Sequence, residues 1–252
     1  MPRSARIKSS SSIYHVILRG INRQDIFEED EDKKKFLWIL RDCIGVSGCH
    51  IYAYCLMSNH VHILIGIGNE DIDVIMKRTG SRYVFYFNDK YGRVGHLFQD
   101  RFKSEVVEND RYFLTVVRYI LQNPLKAGLE SKPGNYVWSS YGAYSGRPDQ
   151  ITDISIATKI AGGKEKIIDF INESNDDSVL DFSLGRKKLS DDELRERLYQ
   201  VTGCRSVTEY QNESKEKQKA YVLQMRKDGL SLSQIARLTG KSKTMIHKIV
   251  NG

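Results

Sequence analysis

Residues 52–66 of the chain read Y-A-Y-C-L-M-S-N-H-V-H-I-L-I-G. Strand-forming residues fill both halves of this stretch, and Met57-Ser58-Asn59 between them can form a tight turn, so the pattern predicts a β-hairpin. Successive side chains of a strand point to opposite faces of a sheet. We therefore expect His60 and His62 on one face of the second strand, with the apolar residues that alternate with them packed behind.

Two neutral imidazoles on one face of a strand are a good beginning for a divalent metal site. The simpler interpretation is that His60 and His62 are polar residues on the outer face of a half-buried strand. His-x-His alone favours that simpler interpretation, because specific metal motifs need further ligands at a defined spacing. The rest of the chain has to supply the third ligand and the chemistry.

Composition places the chain among folded, basic proteins. It has 252 residues, 40% of them hydrophobic, which suffices for one large domain or two small ones. Its formal net charge of +7 favours a polyanionic partner such as nucleic acid, although many basic proteins bind none. Without a membrane-length apolar run or an apolar leader at its start, the chain is predicted to be cytoplasmic. The four cysteines lack C-x-x-C spacing, so reduced structural thiols are expected.

The first half of the chain predicts the element order β-α-β-β-α-β. That order is typical of a ferredoxin-like fold, a four-stranded antiparallel sheet with helices on one face and an open face for ligands. Besides the hairpin, the predicted elements are a strand at Ile13 to Leu18, helices at about Asp30 to Val46 and Asp71 to Lys90, and a strand near Glu105 to Val107.

A third helix is predicted to start near Asn109 or Asp110, both good N-cap residues, and to end at about Asn123, because Pro124 disfavours helix at the residue before it. At about 100° per residue, Tyr112, Tyr119 and Asn123 fall on one flank of its apolar stripe. This flank is a plausible place for working side chains. Taken alone, Tyr119 fits an ordinary boundary aromatic better.

The predicted domains are residues 1–148, a connector at 149–189 and a helical domain at 190–252. The connector is expected to hold one helix, at about Ser155 to Glu173, and the aromatic stretch 136–146 is expected to pack onto the sheet. A basic arm precedes the first strand and contains Arg3, Arg6 and Lys8. It fits a phosphate contact and a solvated terminus equally well.

The end of the chain predicts a helix-turn-helix. A capping box at 190–193 begins one helix, a second contains Tyr221, and Ser231 and Ser242 cap two short helices joined by a turn at Gly240. The exposed side of the last helix would carry residues suited to phosphates and base edges: Lys241, Lys243, Thr244, His247 and Lys248. Docking of a protein partner by a helical bundle is the alternative, and DNA binding is favoured.

Three segments together resemble a known family. They are the strand with His60 and His62, the loop G-H-L-F-Q-D-R-F-K-S at 95–104, and R-Y-I-L-Q-N-P-L-K-A-G-L at 118–129. In this order and spacing they resemble the single-tyrosine HUH transposases, in particular the REP-associated tyrosine transposases. The likeness runs from about Ile13 to Gly146 and implies a ferredoxin-like nuclease domain, here followed by the helix-turn-helix.

The resemblance also implies roles for individual residues. His60 and His62 would bind Mg²⁺ or Mn²⁺, and Tyr119 would attack single-stranded DNA near a hairpin to form a 5′-phosphotyrosine intermediate. Asn123 stands where a polar residue one helical turn after the tyrosine completes the metal site. Many relatives of the simpler insertion-sequence type have Gln there. The protein would act as a monomer or a homodimer.

Further side chains are candidates for DNA contacts because of their charge and position. Arg101, Lys103 and Lys126 could bind the backbone, and Tyr91 or Phe98 could stack on bases. His96 fits a site residue and a loop anchor equally well. One competing hypothesis is a non-catalytic DNA-binding regulator on a retained HUH scaffold. Another, an RNA-binding module, lacks its signature on a strand.

Overall fold

The computed structural model describes residues 9–175, 177, 179–180, 191–228, 230 and 232–251, with the side chains of 191, 192, 194 and 251 excepted. Within these residues the strands form one antiparallel sheet in the order β2-β3-β1-β4. The strands are β1 Ile13–Arg19, β2 His50–Met57, β3 His60–Gly66 and β4 Lys103–Val106. The ferredoxin-like arrangement predicted from the element order is confirmed.

One face of the sheet is covered by helices α1 Asp30–Ser47 and α2 Ile72–Lys90, whose bounds lie within one residue of the prediction. Val16 of β1 lies opposite Ile63 of β3, and both pack with Phe36 of α1 and Tyr83 of α2 in a fully buried core. The residues that alternate with the histidines of β3 therefore belong to this core, as the pattern predicts.

The opposite face of the sheet is also covered by helices, so the prediction of an open face is wrong for this part of the sheet. Helices α3 Asp110–Leu121, α6 Ser155–Ala161 and α7 Lys164–Asn172 lie there. Leu64 of β3, Val116 of α3 and Ile167 of α7 are fully buried in one shared cluster. The apolar stripe of α3 needs a partner, and this sheet face supplies it.

Helix α3 ends two residues earlier than predicted. The Asn109 side chain caps it by accepting from the backbone N–H of Tyr112 at 2.8 Å, as expected. Residues predicted as a turn form a short helix, α4 Asn123–Lys126. Pro124 is tolerated there because the first N–H groups of a helix have no partner within the helix.

The connector contains two helices, α6 and α7, and the prediction of one helix at 155–173 is wrong. Gly162 and Gly163 separate them with φ angles of 80° and 141°, which an L-residue rarely adopts. Both helices pack on α3, so their apolar faces complete the second core of the sheet. The division of the chain into three parts remains a prediction.

The aromatic segment at 136–146 includes helix α5 Tyr141–Tyr144 and lies along the free edge of β2. The N–H of Leu56 donates to the carbonyl of Trp138 at 2.9 Å, and the Tyr144 hydroxyl donates to the carbonyl of Tyr52 at 2.7 Å. The segment therefore packs onto the sheet, as expected, and protects its edge.

The C-terminal part is a helical unit with its own core, which includes Leu198, Tyr210 and Ile235. Its helices are α8 Asp191–Thr202, α9 Val207–Asn212, α10 Lys215–Lys227, α11 Leu232–Thr239 and α12 Lys243–Asn251. Sequence reasoning missed α9, because six residues are too few for a clear apolar period. Within the described chain no helix is both long and apolar enough to cross a membrane.

Several predicted features of the sequence lie outside the described residues. They are the basic arm with Arg3, Arg6 and Lys8 and the cap positions Ser190 and Ser231.

The helical unit docks on the loop that follows β1. The amide of Asn22 donates to the carbonyl of Gly240 at 2.6 Å, in the turn between α11 and α12. Arg195 pairs with Asp25 at 3.0 Å, and the hydroxyl of Thr208 donates to Glu28 at 2.6 Å. These bonds join the helical unit to the domain that contains the sheet.

Burial of Glu28 at this contact raises the pKa of its carboxyl to about 7. The nearby Asp25 raises the pKa further, whereas the hydrogen bond from Thr208 and the charge of Arg195 oppose the shift. Because the folded-state pKa lies above the ordinary value, the folded state binds this proton more tightly than the unfolded state. The resulting stabilisation is complete at low pH and disappears as the pH rises through about 7.

Replacing Glu28 by Gln should remove this pH dependence. Between pH 5 and 8 the free energy of unfolding of the wild type should fall by on the order of 2–3 kcal/mol relative to Glu28→Gln, because the amide does not titrate. Urea denaturation at each pH measures it. Glu216→Gln, at an exposed glutamate of α10, should keep the wild-type slope. The prediction would be contradicted if the free energy of unfolding changed with pH equally in the wild type and in Glu28→Gln.

Candidate functional site

His60 and His62 lie on β3, which is paired on both sides by β2 and β1. Their ring centroids are 5.0 Å apart and their planes are nearly perpendicular. His62 is fully buried, whereas His60, at the beginning of the strand, is partly accessible. The two imidazoles therefore share the face that α3 covers, and only one of them reaches the surface.

The hairpin turn fixes the ring of His60. Its Nδ1 lies 2.6 Å from the side-chain oxygen of Asn59, and the Asn59 carbonyl accepts from the N–H of Gly20 at 2.9 Å. A Cβ at Gly20 would lie 2.1 Å from the carbonyl oxygen of Gln24, so only glycine fits this approach. Since the oxygen of Asn59 can only accept, Nδ1 of His60 donates this bond, and in the neutral ring the lone pair is then on Nε2.

A third imidazole, His15 of β1, completes a row that sequence reasoning missed. Ile17 is the cross-strand partner of His62, so His15, two residues before Ile17, shares the same face. Its Nε2 lies 3.0 Å from Nδ1 of His62, and the two rings stack with centroids 5.2 Å apart. No local spacing links the two residues; only the strand register could have shown this contact.

Burial keeps the inner histidines neutral. It lowers the pKa of His15 to about 3. The pKa of His62 is held well below its ordinary value, first by burial and then by the neighbouring His60, His15 and Arg19. Neutral imidazoles retain a lone pair for a ligand.

Helix α3 brings the ring of Tyr119 against these histidines. Its centroid lies 5.6 Å from that of His62 and 6.0 Å from that of His15, in edge-to-face contacts. The residue is 6% exposed. The ammonium of Lys126 in α4 lies 5.2 Å from the centre of the Tyr119 ring. Tyr119 is therefore turned toward the histidines of its own chain.

Two neighbouring amides follow Tyr119, and the structure distinguishes them. Gln122 is 3% exposed and donates to the carbonyls of Ile171 at 2.5 Å and Glu173 at 2.9 Å. Its oxygen accepts from the amide of Asn175 at 2.7 Å. Gln122 is thus committed to holding the segment after α7. Asn123 is half-buried at the start of α4, a helix that contacts β2.

Two cations lie on the same sheet face as the histidines. Arg19 is the cross-strand partner of His60 and is half-buried. Lys103 of β4 lies opposite Ile17, in one cross-strand row with His62, and is exposed. Arg19 was not among the predicted site residues, because its place beside His60 follows only from the register.

Arg101, Phe98 and His96 line a groove of about 1060 Å³ between α2 and the loop before β4. The groove lies on the α2 side of the sheet, away from the imidazole face, and Phe85 at its rim is 76% exposed. Tyr91 lies outside it. Its hydroxyl donates to Asp32 at 2.7 Å.

The described side chains of α12 include exposed Lys243, Thr244, His247 and Lys248, as predicted. Lys241 does not belong to this exposed face. It precedes the helix and is half-buried, with its ammonium 5.9 Å from the ring centre of Tyr210. The reason is that the turn after Gly240 directs it toward the core of the helical unit.

The donor set fits a divalent cation in one specific way. Nε2 of His62 is buried and has no hydrogen-bond partner, which is costly unless a ligand uses its lone pair. Across the described ranges, no three His, Cys, Asp or Glu side chains form a group that could hold a metal ion. A cation bound to His60 and His62 therefore needs another type of donor, such as an amide oxygen, a phosphate or water.

Part of the chain matches a known protein family. Residues 8–123 match the family described as "Transposase IS200 like". This part of the chain, somewhat less than half of it, is similar to the IS200-like transposase family. The match contains His15, His60, His62, Tyr119 and Asn123 and ends before α5 and the helical unit. Comparison with curated proteins finds no match.

Among solved structures, the chain is similar to a REP-associated tyrosine transposase bound to a REP hairpin. The identity is 17% and the TM-score 0.53, over 75% of this chain and 100% of that one. At this identity the likeness shows the fold alone: a four-stranded antiparallel sheet with helices that matches the fold of that transposase. A protein described as a transposase from Deinococcus radiodurans R1 matches with 19% identity and a TM-score of 0.34, over 50% of this chain and 96% of that one.

Replacing Gln122 by Leu should destabilise the protein by about 1–3 kcal/mol, because the carbonyls of Ile171 and Glu173 would lose a buried donor. Chemical denaturation measures the change. Gln200→Leu, at an exposed position of α8, should stay within about 0.5 kcal/mol of the wild type. A Gln122→Leu variant as stable as Gln200→Leu would show that the hydrogen bonds of Gln122 do not stabilise the protein.

Proposed function

We propose that this chain is an IS200-like transposase that cleaves and rejoins single-stranded DNA beside a hairpin, with Tyr119 as the nucleophile. One observation carries the proposal: α3 places the ring of Tyr119 5.6 Å from that of His62, on the face shared with His60. The fold brings these residues together from distant parts of the sequence. If these three side chains only filled the core, apolar side chains would stabilise it better, because burying polar groups costs free energy.

The reaction follows from the residues. The phenol oxygen of Tyr119 attacks the phosphorus of a phosphodiester, the bond to the 3′-oxygen breaks, and the DNA 5′-phosphate becomes linked to the tyrosine. The phenol loses its proton, and the departing 3′-oxygen gains one. Attack by a second 3′-hydroxyl on the phosphotyrosine reverses these bond changes and rejoins DNA, so no external energy source is needed.

Transposases of this family are metal-dependent, and Mg²⁺ or Mn²⁺ suits the available donors. His60 and His62 would hold the cation through their Nε2 atoms, and the side-chain oxygen of Asn123 would be a third donor. When bound, such a cation polarises the scissile phosphate and stabilises charge on the leaving oxygen. Gln122, which serves the segment after α7, is not a donor in this assignment.

Positive side chains around the imidazole face would hold the phosphates on either side of the scissile bond. Arg19 and Lys103 lie along the sheet, and Lys126 lies over the Tyr119 ring. Arg101 would bind the backbone farther away, in the groove beside α2. Because Tyr119 contacts histidines of its own chain, the geometry supports attack in cis within a monomer.

DNA is the partner that fits best. The chain carries a net charge of +7, and the structurally similar REP-associated tyrosine transposase is bound to a REP hairpin. Helices α11 and α12, with the turn at Gly240 between them, would act as a helix-turn-helix, and the exposed cations of α12 support this role. The helical unit would bind duplex DNA next to the single-stranded substrate.

A non-catalytic DNA-binding regulator is the second candidate. The exposed cationic side chains of α12 favour it, because they would bind DNA whether or not Tyr119 reacts. The two candidates differ in one observable: only the transposase forms a covalent bond to DNA.

An adduct assay separates them. The full chain, incubated with Mn²⁺ and labelled single-stranded hairpins from its genomic neighbourhood, should form a covalent adduct that survives denaturing electrophoresis. Tyr119→Phe should abolish the adduct, and His60→Ala or His62→Ala should reduce its rate at least about 100-fold. Tyr112→Phe, seven residues earlier on the same flank of α3, is the matched control and should react within a few-fold of wild type.

If the wild type forms no adduct with any of these hairpins but binds duplex DNA, the hypothesis of a non-catalytic regulator is correct. An adduct that persists in Tyr119→Phe would mean that another residue is the nucleophile.

The duplex-binding role of α12 has its own test. Replacing Lys243 and Lys248 by Ala should weaken duplex binding and reduce the slope of log K against log salt by about 2, one unit for each lost phosphate contact. Lys34→Ala, at an exposed lysine of α1, should leave the slope unchanged. An unchanged slope in the double variant would place the duplex contact elsewhere.

A further inference from the structure

His15 is a buried histidine that neither a metal ligand set nor the nucleophile requires. It is 0% exposed, and its Nε2 lies 3.0 Å from Nδ1 of His62. Its other ring nitrogen, Nδ1, is buried with no hydrogen-bond partner in the described structure. An unsatisfied buried polar atom costs about 1–3 kcal/mol, so packing alone does not explain a histidine here.

Two neutral imidazoles that share one hydrogen bond can do so in two ways. Either His62 donates from Nδ1 and leaves its Nε2 bare, or His15 donates and the proton of His62 sits on Nε2. Only the first arrangement leaves His62 a lone pair that points away from His15. The choice of tautomer therefore decides whether His62 can accept a ligand at Nε2.

We propose that His15 is a positioning residue: it accepts the Nδ1 proton of His62 and so presents the bare Nε2 of His62 to a divalent cation. This inference rests on the proposed function. Asn59 acts in the same way on His60, with its side-chain oxygen 2.6 Å from His60 Nδ1. Each histidine of the pair thus has its own acceptor, one from the turn and one from the neighbouring strand.

The hydrogen bond also fixes the orientation of the ring. His62 stacks on His15 with an interplanar angle of 20° and meets Tyr119 edge-on at 75°. Without an acceptor at His15, the ring of His62 could rotate or change tautomer. Ring contacts with Tyr119 alone fix neither, because an aromatic edge does not distinguish the two nitrogens.

Three substitutions of His15 isolate the acceptor from the packing. His15→Phe preserves a planar ring without an acceptor. His15→Gln places an amide oxygen near the former Nε2. His15→Asn has the same chemistry as Gln but is too short to reach His62.

The measurement is the dissociation constant of Mn²⁺, determined by electron paramagnetic resonance on the full chain bound to hairpin DNA. The Tyr119→Phe background prevents cleavage. We expect His15→Phe and His15→Asn to bind Mn²⁺ about 10–100-fold more weakly, and His15→Gln within about 3-fold of the parent. Hairpin affinity without metal should be unchanged in all three. If His15→Phe does not fold, the comparison of Gln with Asn decides.

The proposal is overturned if His15→Phe and His15→Asn bind Mn²⁺ like the parent while His62→Ala binds it at least 10-fold more weakly. If His62→Ala also binds Mn²⁺ like the parent, the metal site assigned under the proposed function is wrong, and the role of His15 fails with it. The two failures are therefore distinguishable.

Discussion

The site depends on the burial of β3 on both faces and along both edges. Buried side chains of such a strand have no water to satisfy their polar atoms, so an imidazole placed there needs a partner within the protein. His62 finds His15, and His60 finds Asn59. The same burial keeps the inner imidazoles neutral. A dry face with lone pairs available is the environment in which two histidines can bind a cation.

The second layer of helices has a function as well as a structural role. By covering the face that was expected to be open, α3 carries Tyr119 to the histidines. The segment after α7 is held in two ways. Gln122 donates to backbone carbonyls at the end of α7 and just after it, and Arg118 of α3 pairs with Asp177. The helix that presents the proposed nucleophile is therefore packed on the sheet on one side and bonded to the segment after α7 on the other. Such rigidity favours a fixed distance between nucleophile and phosphate.

Residues that alternate or repeat along the chain were predictable, whereas contacts between distant segments were not. Alternation in β3 and the apolar stripe of α3 correctly predicted the hairpin and the helix that carries Tyr119. The partnership of His15 with His62 depends on strand register, and no local pattern encodes it. The break at Gly162 and Gly163 was missed because the apolar spacing continues across it. Lys241 was wrongly predicted to be exposed, because the exposure of a turn residue depends on how the turn packs against the core of the helical unit.

The most direct test of the account is to identify the amino acid that becomes linked to DNA. After reaction with a hairpin substrate and nuclease digestion of the attached strand, trypsin should release the peptide Tyr119–Lys126 with the added mass of a 5′-linked nucleotide, and fragmentation should place that mass on the tyrosine. This result would establish the chemistry of the site and the identity of its nucleophile together. A nucleotide on a peptide that lacks Tyr119 would contradict the account.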